Sequence, residues 1–404
     1  MSEGVAVTSS GPAGNGGPLT GVRVVELAGI GPGPLCGMLL ADLGAEVILV
    51  DRPGKSVSPV PADNDVLTRG KRRVVVDLKH PRGAEVVLRL AGASGALIEG
   101  YRPGVAERLG VGPADCWARN PALVYGRMTG WGQDGPLSAT AGHDIAYIAL
   151  TGALHAIGRA GGPPQVPANY LGDFGGGSLF LALGLVAGLF EARATGRGRV
   201  VDAAIVDGAA VLQSMTYGLL ADGAWVDKRG VNLLDTGAPF YDVYETSDGR
   251  HMAVGALEPQ FYVALTQILF APEPVPANLE LPRQHDRDGW PLMRRQFAAR
   301  FAERSQEEWT KAFTGTDACV APVRTMTEAP ADPHLAARGS FVTVNGTVQP
   351  APAPRFGDGT PGAPIGALRP GAITHPGAHT REVLADLGFD DAEELVATGA
   401  VHQA

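Results

Sequence analysis

Short apolar runs alternate with helical segments from the start of this chain, and that alternation constrains the fold more than any other feature. Residues 22–27 read VRVVEL and residues 47–50 read VILV, both rich in β-branched side chains. Between them, 35–43 carry apolar residues at helical spacing, and Gly44 follows as a stop. Strand, helix and strand at this spacing make a βαβ unit. Residues 74–78, 96–98 and 123–128 predict further strands, with 81–90 between the first two as a helix opened by Pro81. Strands that alternate with helices in this way build a doubly wound α/β domain.

Farther along, 174–194 reads as one long buried helix, 200–205 as a strand and 207–220 as helix again. The most apolar stretch, 179–190, is only about a dozen residues, too short to span a bilayer. The character changes near Gly230. Residues 241–246 and 251–254 predict a hairpin around a turn at Ser247-Asp248-Gly249, and helices follow over about 259–269, 288–303 and 305–314. These predict a tail over 1–16, a first domain over 17–205, linker helices over 206–239, and a smaller α/β domain over 240–326. In 327–404, residues 342–370 are rich in Pro and Gly and read as an extended linker, and 380–387 as a short helix.

The 404 residues carry a net charge of −9, which argues against a nucleic-acid partner and leaves any anionic ligand to a local basic cluster. Arg52 directly follows a strand, GKRR occupies 70–73, and Lys79, Arg102 and Arg108 add to the inventory. Such charges fit either a phosphate-rich ligand or a solvated basic loop. The three cysteines show neither CxxC nor metal spacing, as in a reducing compartment. Together with the Ala-, Gly- and Arg-rich composition, this predicts a cytoplasmic and bacterial enzyme. There is no membrane segment, no metal site and no G-x-S-x-G or Walker loop.

The turn at 29–34 reads GIGPGP after a strand, with Asp51 about twenty residues on. It resembles a dinucleotide-binding turn, but Pro34 stands at its third glycine position and Pro removes amide donors. Two other glycine-rich contexts hold ionisable groups: Gly142-His143-Asp144 and Gly172-Asp173-Phe174-Gly175. An imidazole and a carboxylate could serve as proton-transfer groups on opposite sides of one carbon. The ordinary alternatives stay open: a lone histidine is usually structural, and Asp173 sits where a helix cap would. Glu258, before Pro259, is either a helix-dipole partner or a carboxylate that orients an imidazole.

The order and spacing of these segments resemble the family III CoA transferases, and within them the racemase branch. The strings VRVVELAGIGPGP, DRPG, GKRR, DLK, RPGV, GHDIAY, GDFGGG, GRVVDAAIVDG, GAPFYDVYET, AVGALEPQFY, DACVAPV and PAPRF carry the resemblance from about 17 to 395. It implies a Rossmann-like large CoA-binding domain that combines the N-terminal part with 327–404, a smaller α/β domain, and an interlocked homodimer. It implies His143 and Asp173 as the acid/base pair, and Glu258 as the histidine's partner, contributed by either chain. Arg52, Val76, Asp77, Leu78, Lys79, Arg102, Gly142, Asp144, Ile145 and Tyr147 are the implied coenzyme A and thioester contacts. The implied activity interconverts (2R)- and (2S)-2-methylacyl-CoA thioesters by cofactor-independent proton transfer through an enolate. Coenzyme A then enters only as part of the substrate. CoA transfer, with Asp173 as nucleophile, is the alternative. Thr236 stands where the racemase pattern commonly has Gly, which is expected to alter the local loop. Gly100 stands where many transferases have Asn.

Overall fold

The alternation at the start of the chain closes into one seven-stranded sheet. A computed structural model describes residues 16–54, 58–271, 281–357 and 368–404. The expected tail over 1–16 lies outside the described residues except for Gly16, as does the 358–367 part of the linker. The chain divides into two compact units. Unit 1 comprises Met1–Thr151, Ala168–Leu212 and Pro333–Ala404, and unit 2 comprises Gly152–Pro167 and Gln213–Asp332.

In unit 1, β1 (Arg23–Leu27), β2 (Glu46–Asp51), β3 (Lys71–Val76), β4 (Ala96–Glu99), β5 (Val124–Thr129) and β6 (Val200–Ala204) lie in the order 3-2-1-4-5-6, all parallel. The C-terminal strand Val401–His402 pairs antiparallel with β3 at one edge. Consecutive side chains of a strand point to opposite faces. Val25, Leu27, Ile48 and Val50 accordingly join one buried core, and Val24, Val47, Ala96 and Ile98 another. Apolar cores cover both faces, as a parallel sheet requires. Strand order reverses between β1 and β4, and open α/β sheets bind ligands outside the carboxyl ends of strands at that point.

The helix expected over 174–194 differs from the structure at its start. Tyr170–Ser178 is a wide π-helix that continues as the α-helix Leu179–Thr195. The continuous run of 26 residues is long and apolar enough to cross a membrane by length and composition alone, contrary to the dozen apolar residues counted in the sequence. Its Leu181, Leu185 and Leu189 are instead buried beside the sheet. Small residues set that distance. A Cβ on Gly188 would lie 2.7 Å from Val124 Cγ1, and one on Gly184 2.4 Å from Val201 Cγ1. The helix expected over 207–220 is two short ones, Ile205–Val211 and Ser214–Ala221. The expected extended linker opens as a hairpin, Phe341–Val344 with Thr347–Pro350, around Asn345-Gly346 at φ 50° and 83°. Asn-Gly is the favoured pair for such a turn, a signal that sequence reasoning passed over.

In unit 2, β7 (Tyr241–Glu245), β8 (His251–Gly255) and β9 (Val320–Pro322) form an antiparallel sheet. An aromatic core of Phe240, Tyr244, Trp290, Phe297, Phe301 and Trp309 supports it. Thr236 precedes this sheet at φ 75°, and its carbonyl accepts a hydrogen bond from Arg294 at 2.6 Å. The loop thus adopts the left-handed backbone that glycine favours, with a β-branched residue in it. That conformation costs about 1–2 kcal/mol. Thr236→Gly is expected to raise the stability of unit 2 by about 1 kcal/mol, read as a higher urea midpoint at unchanged slope. An unchanged or lower midpoint would contradict the assigned strain.

Candidate active site

The carboxyl ends of β1 and β2 and the first half of β3 border a cavity of about 420 Å³ in unit 1, whose lining includes Glu26, Gly31, Val60, Lys71, Asp173 and Phe174. The glycine-rich turn that resembles a dinucleotide site lies against Asp173 instead. Gly31 caps the helix Pro32–Asp42 at φ 70°, and a Cβ on it would stand 3.3 Å from Asp173 Oδ2. Any larger residue here would be both strained and crowded.

Asp173 is not the helix cap that the sequence allowed. It lies inside the first turn of the π-helix, whose cap position is Asn169. Asn169 Nδ2 donates to Asp173 Oδ2 at 3.4 Å. Short π-helical turns are rare and often mark functional sites. Burial pushes the Asp173 carboxyl above its ordinary range. The Asn169 bond opposes that shift, the Asp144 charge adds to it, and His143 opposes it. The imidazole and carboxylate that the sequence singled out lie in one unit.

His143 is exposed and caps the helix Asp144–Leu150 in an extended conformation. Asp144 is buried, and its Oδ1 accepts the Asp173 backbone N–H at 2.7 Å. Tyr147 packs edge-on against Trp131 with ring centroids 4.7 Å apart. A Cβ on Gly142 would lie 2.5 Å from the Tyr147 ring, so Gly142 makes room for it. Burial pushes the Tyr147 phenol up, the Asp173 charge adds to this, and Arg102 opposes it. Ile145, two residues before Tyr147, is exposed.

The basic inventory divides. GKRR is neither a solvated loop nor a phosphate grip, because its cations lie in or beside β3 and are matched internally. Lys71 Nζ meets Glu26 Oε2 at 2.6 Å, and Arg73 holds Asp51 with both ends of its guanidinium. Arg72 meets Glu46 at 2.6 Å and Asp386 at 2.7 Å. Burial pushes Glu26 up to about 7 despite Lys71, and its Oε1 has no hydrogen-bond partner among the described residues. Arg52, Lys79 and Arg102 are exposed instead. Arg52 lies near enough to Tyr101 to oppose the upward push that burial and Glu99 give its phenol. Val76 and Leu78 turn their side chains to the core. Asp77 Oδ1 accepts the Lys79 N–H at 2.9 Å. What 76–79 offers a ligand is therefore Lys79 and backbone.

Glu258 belongs to unit 2. It is exposed and caps the helix Pro259–Leu269, its carbonyl accepting the amides of Phe261 and Tyr262 at 3.0 Å each. Its charge also adds to the upward push that burial gives the Cys319 thiol. Among the described residues, no group of three or more His, Cys, Asp or Glu is arranged to hold a metal ion.

Sequence reasoning missed Asn169, the inward turn of Asp144, and the buried Glu26–Lys71 pair. Only the pair left a trace, as a lone carboxylate in the apolar run VRVVEL.

Comparisons with known proteins identify the family. Residues 19–379 match the CoA-transferase family III. The chain is 46% identical over 376 residues to the human protein named alpha-methylacyl-CoA racemase, covering 93% of this chain and 94% of that one. It is also 46% identical over 378 residues to the mouse protein of the same name, covering 93% and 95%. The fold is similar to that of a CAIB/BAIF family protein from Brucella suis, with a TM-score of 0.77 at 24% identity, over 92% of this chain and 99% of that one.

Proposed function

The chain belongs to the CoA-transferase family III, and from that premise we propose that it is an alpha-methylacyl-CoA racemase. It interconverts the (2R) and (2S) forms of 2-methylacyl-CoA thioesters. One observation carries the mechanism: Asp144, the residue after His143, accepts the Asp173 backbone N–H at 2.7 Å, with Asp173 on a cavity wall beside Gly31.

The C2 proton beside a thioester is more acidic than the one beside a carboxylate, whose negative charge opposes carbanion formation. His143 or Asp173 removes that proton, according to the substrate's configuration. The other returns a proton to the opposite face. The enolate oxygen is met by amides of the first turn of the Tyr170–Ser178 helix. Asp173's own amide is already given to Asp144, so other amides of that turn serve. The raised carboxyl of Asp173 suits the role, since a base of higher pKa removes a weakly acidic proton more readily.

Arg52, Lys79 and Arg102 hold the coenzyme A phosphates, and the segment 142–147 lies along the thioester. Val76, Asp77 and Leu78 contribute through their backbone and the turn they make. Binding energy from this remote handle serves the reacting carbon. The residues supply both proton carriers, so the proposal calls on no cofactor and no metal.

The proposal extends to an interlocked homodimer, in which Glu258 of a second copy orients the His143 ring. Support comes from the long helix, where Leu179, Leu183, Val186 and Phe190 form an exposed apolar stripe and Phe190 is 81% exposed. A face of this kind belongs in an interface. A cytoplasmic location in a bacterium stays part of the same proposal. It rests on composition and on three free cysteines, and cell fractionation of the source organism tests it.

A second reading draws on the family's transferase members. There Asp173 attacks the thioester carbonyl, releases coenzyme A as a thiol and forms an acyl anhydride. His143→Ala and Asp173→Ala are each expected to lower inversion of configuration at least ~100-fold, measured by chiral separation of the hydrolysed acid, with coenzyme A binding retained. A hydroxylamine-trapped acyl group on Asp173 during turnover, with inversion intact in His143→Ala, would favour the transferase instead. Sedimentation tests the dimer. The protein is expected at twice its monomer mass, and Leu183→Glu with Phe190→Glu at the monomer mass. A monomeric parent would remove the shared site.

A further inference from the structure

Asp144 follows His143 directly, yet its carboxylate does not face outward to a ligand. It is 8% exposed, and Oδ1 reaches across 29 positions of sequence to the Asp173 backbone N–H at 2.7 Å. The amide needs an acceptor. The first wide-turn bond of the Tyr170–Ser178 helix runs from Phe174 N–H to the Asn169 carbonyl at 3.3 Å, one residue past Asp173. The first amides of any helix lie outside its own ladder. Asp144 therefore does for this turn what a cap residue does, from another helix and with a charged acceptor, which makes the stronger kind of hydrogen bond.

The fit is tight. A Cβ on Gly172 would stand 2.4 Å from Asp144 Oδ1 and 2.9 Å from Ile148 Cγ2, so only glycine before Asp173 lets the carboxylate approach. Asp144 Oδ2 is buried without a hydrogen-bond partner among the described residues. The grip on Asp173 is thus the hydrogen bond that the Asp144 carboxylate makes there.

We propose that Asp144 is a positioning residue that sets the spacing of the two proton carriers, because the helix start that bears His143 also grips the backbone of Asp173. This rests on the reading of His143 and Asp173 as those carriers. Inversion needs both groups aligned on opposite faces of C2. Exchange with retention needs only one, which removes the C2 proton and returns a solvent-derived deuteron to the same face. Loosening the grip therefore harms inversion more than exchange. A general loss of folded protein lowers both alike, which separates the two explanations. The Asp144 charge also helps to hold the Asp173 carboxyl up.

The test follows a single-configuration 2-methylacyl-CoA in D2O, measuring deuterium uptake at C2 and inversion separately for each variant. Asp144→Ala is expected to lower the ratio of inversion to exchange about tenfold or more. Asp144→Asn keeps an acceptor oxygen and is expected to hold the ratio within about twofold of the parent. Its acid limb in the kcat/KM profile should move to lower pH, since the neighbouring negative charge is gone. Gly172→Ala pushes the carboxylate away from the other side, and is expected to lower the ratio as Asp144→Ala does. It keeps the test open if Asp144→Ala does not fold. An unchanged ratio in the folded Ala variants, or an Asn variant as impaired as Ala, overturns the positioning role alone. A parent that neither exchanges nor inverts overturns the racemase reading and this inference with it.

Discussion

Gly176 and Gly208 meet backbone to backbone: a Cβ on Gly208 would stand 1.9 Å from the Gly176 carbonyl oxygen, and one on Gly176 2.7 Å from the Ala209 amide nitrogen. The rest of the site depends on this closeness. It seats the Tyr170–Ser178 turn on the helix Ile205–Val211, while Ser178 Oγ donates to the Pro32 carbonyl at 2.8 Å and fixes the turn beside the start of Pro32–Asp42. With those neighbours in place, Asp173 falls between Gly31 and Asp144, and Asp144 ties it to the helix start that bears His143. Protein interiors do not yield room cheaply, so a methyl group at any of these glycines is expected to shift the carboxylate or unseat the turn.

Charge is organised on the same principle of near and far. An acidic chain that handles a polyphosphate thioester has to reserve some cations for the ligand. The buried ones, Arg69, Lys71 and Arg73, are matched by Asp42, Glu26 and Asp51 inside unit 1. A buried ion pair adds little net stability over apolar packing, but losing one partner leaves a costly lone charge. The Lys71 and Arg73 pairs tie β3 to β1 and β2 at the cavity wall, and Arg69–Asp42 ties the approach to β3 to the helix Pro32–Asp42. Arg52, Lys79 and Arg102 lie at or beyond strand ends and are exposed, where a phosphate can reach them.

Much of this was legible in the sequence where local signals agree with the global arrangement. The apolar runs and helical spacing of the first 130 residues gave five of the six strands of the parallel sheet, because burial on both faces writes itself as continuous β-branched runs. His143 and Asp173 stood out as ionisable groups among glycines, and the Asp144–Asp173 hydrogen bond joins their two segments. The π-helical turn was not legible, since its glycines read equally as a loop or as an α-helix start, and the packing against Ile205–Val211 that seats it is distant in sequence. The fate of GKRR was hidden for a similar reason. Four residues cannot reveal that their carboxylate partners lie about 20–45 positions upstream, or far downstream at Asp386. The resemblance implied Asp144 as a ligand contact with the rest of 142–147, whereas the first turn of its helix points its carboxylate inward.

The central claim is that two protein groups exchange the C2 proton of a thioester without help from a second substrate. The most direct measurement incubates the purified protein with a single-configuration 2-methylacyl-CoA in D2O, without any acceptor acid, and follows the methyl signal by proton NMR. The account predicts that the doublet collapses as deuterium enters C2, and that both configurations appear. A folded, coenzyme A-binding protein that leaves the doublet intact, yet moves coenzyme A to an added carboxylic acid, would contradict it and make Asp173 a nucleophile.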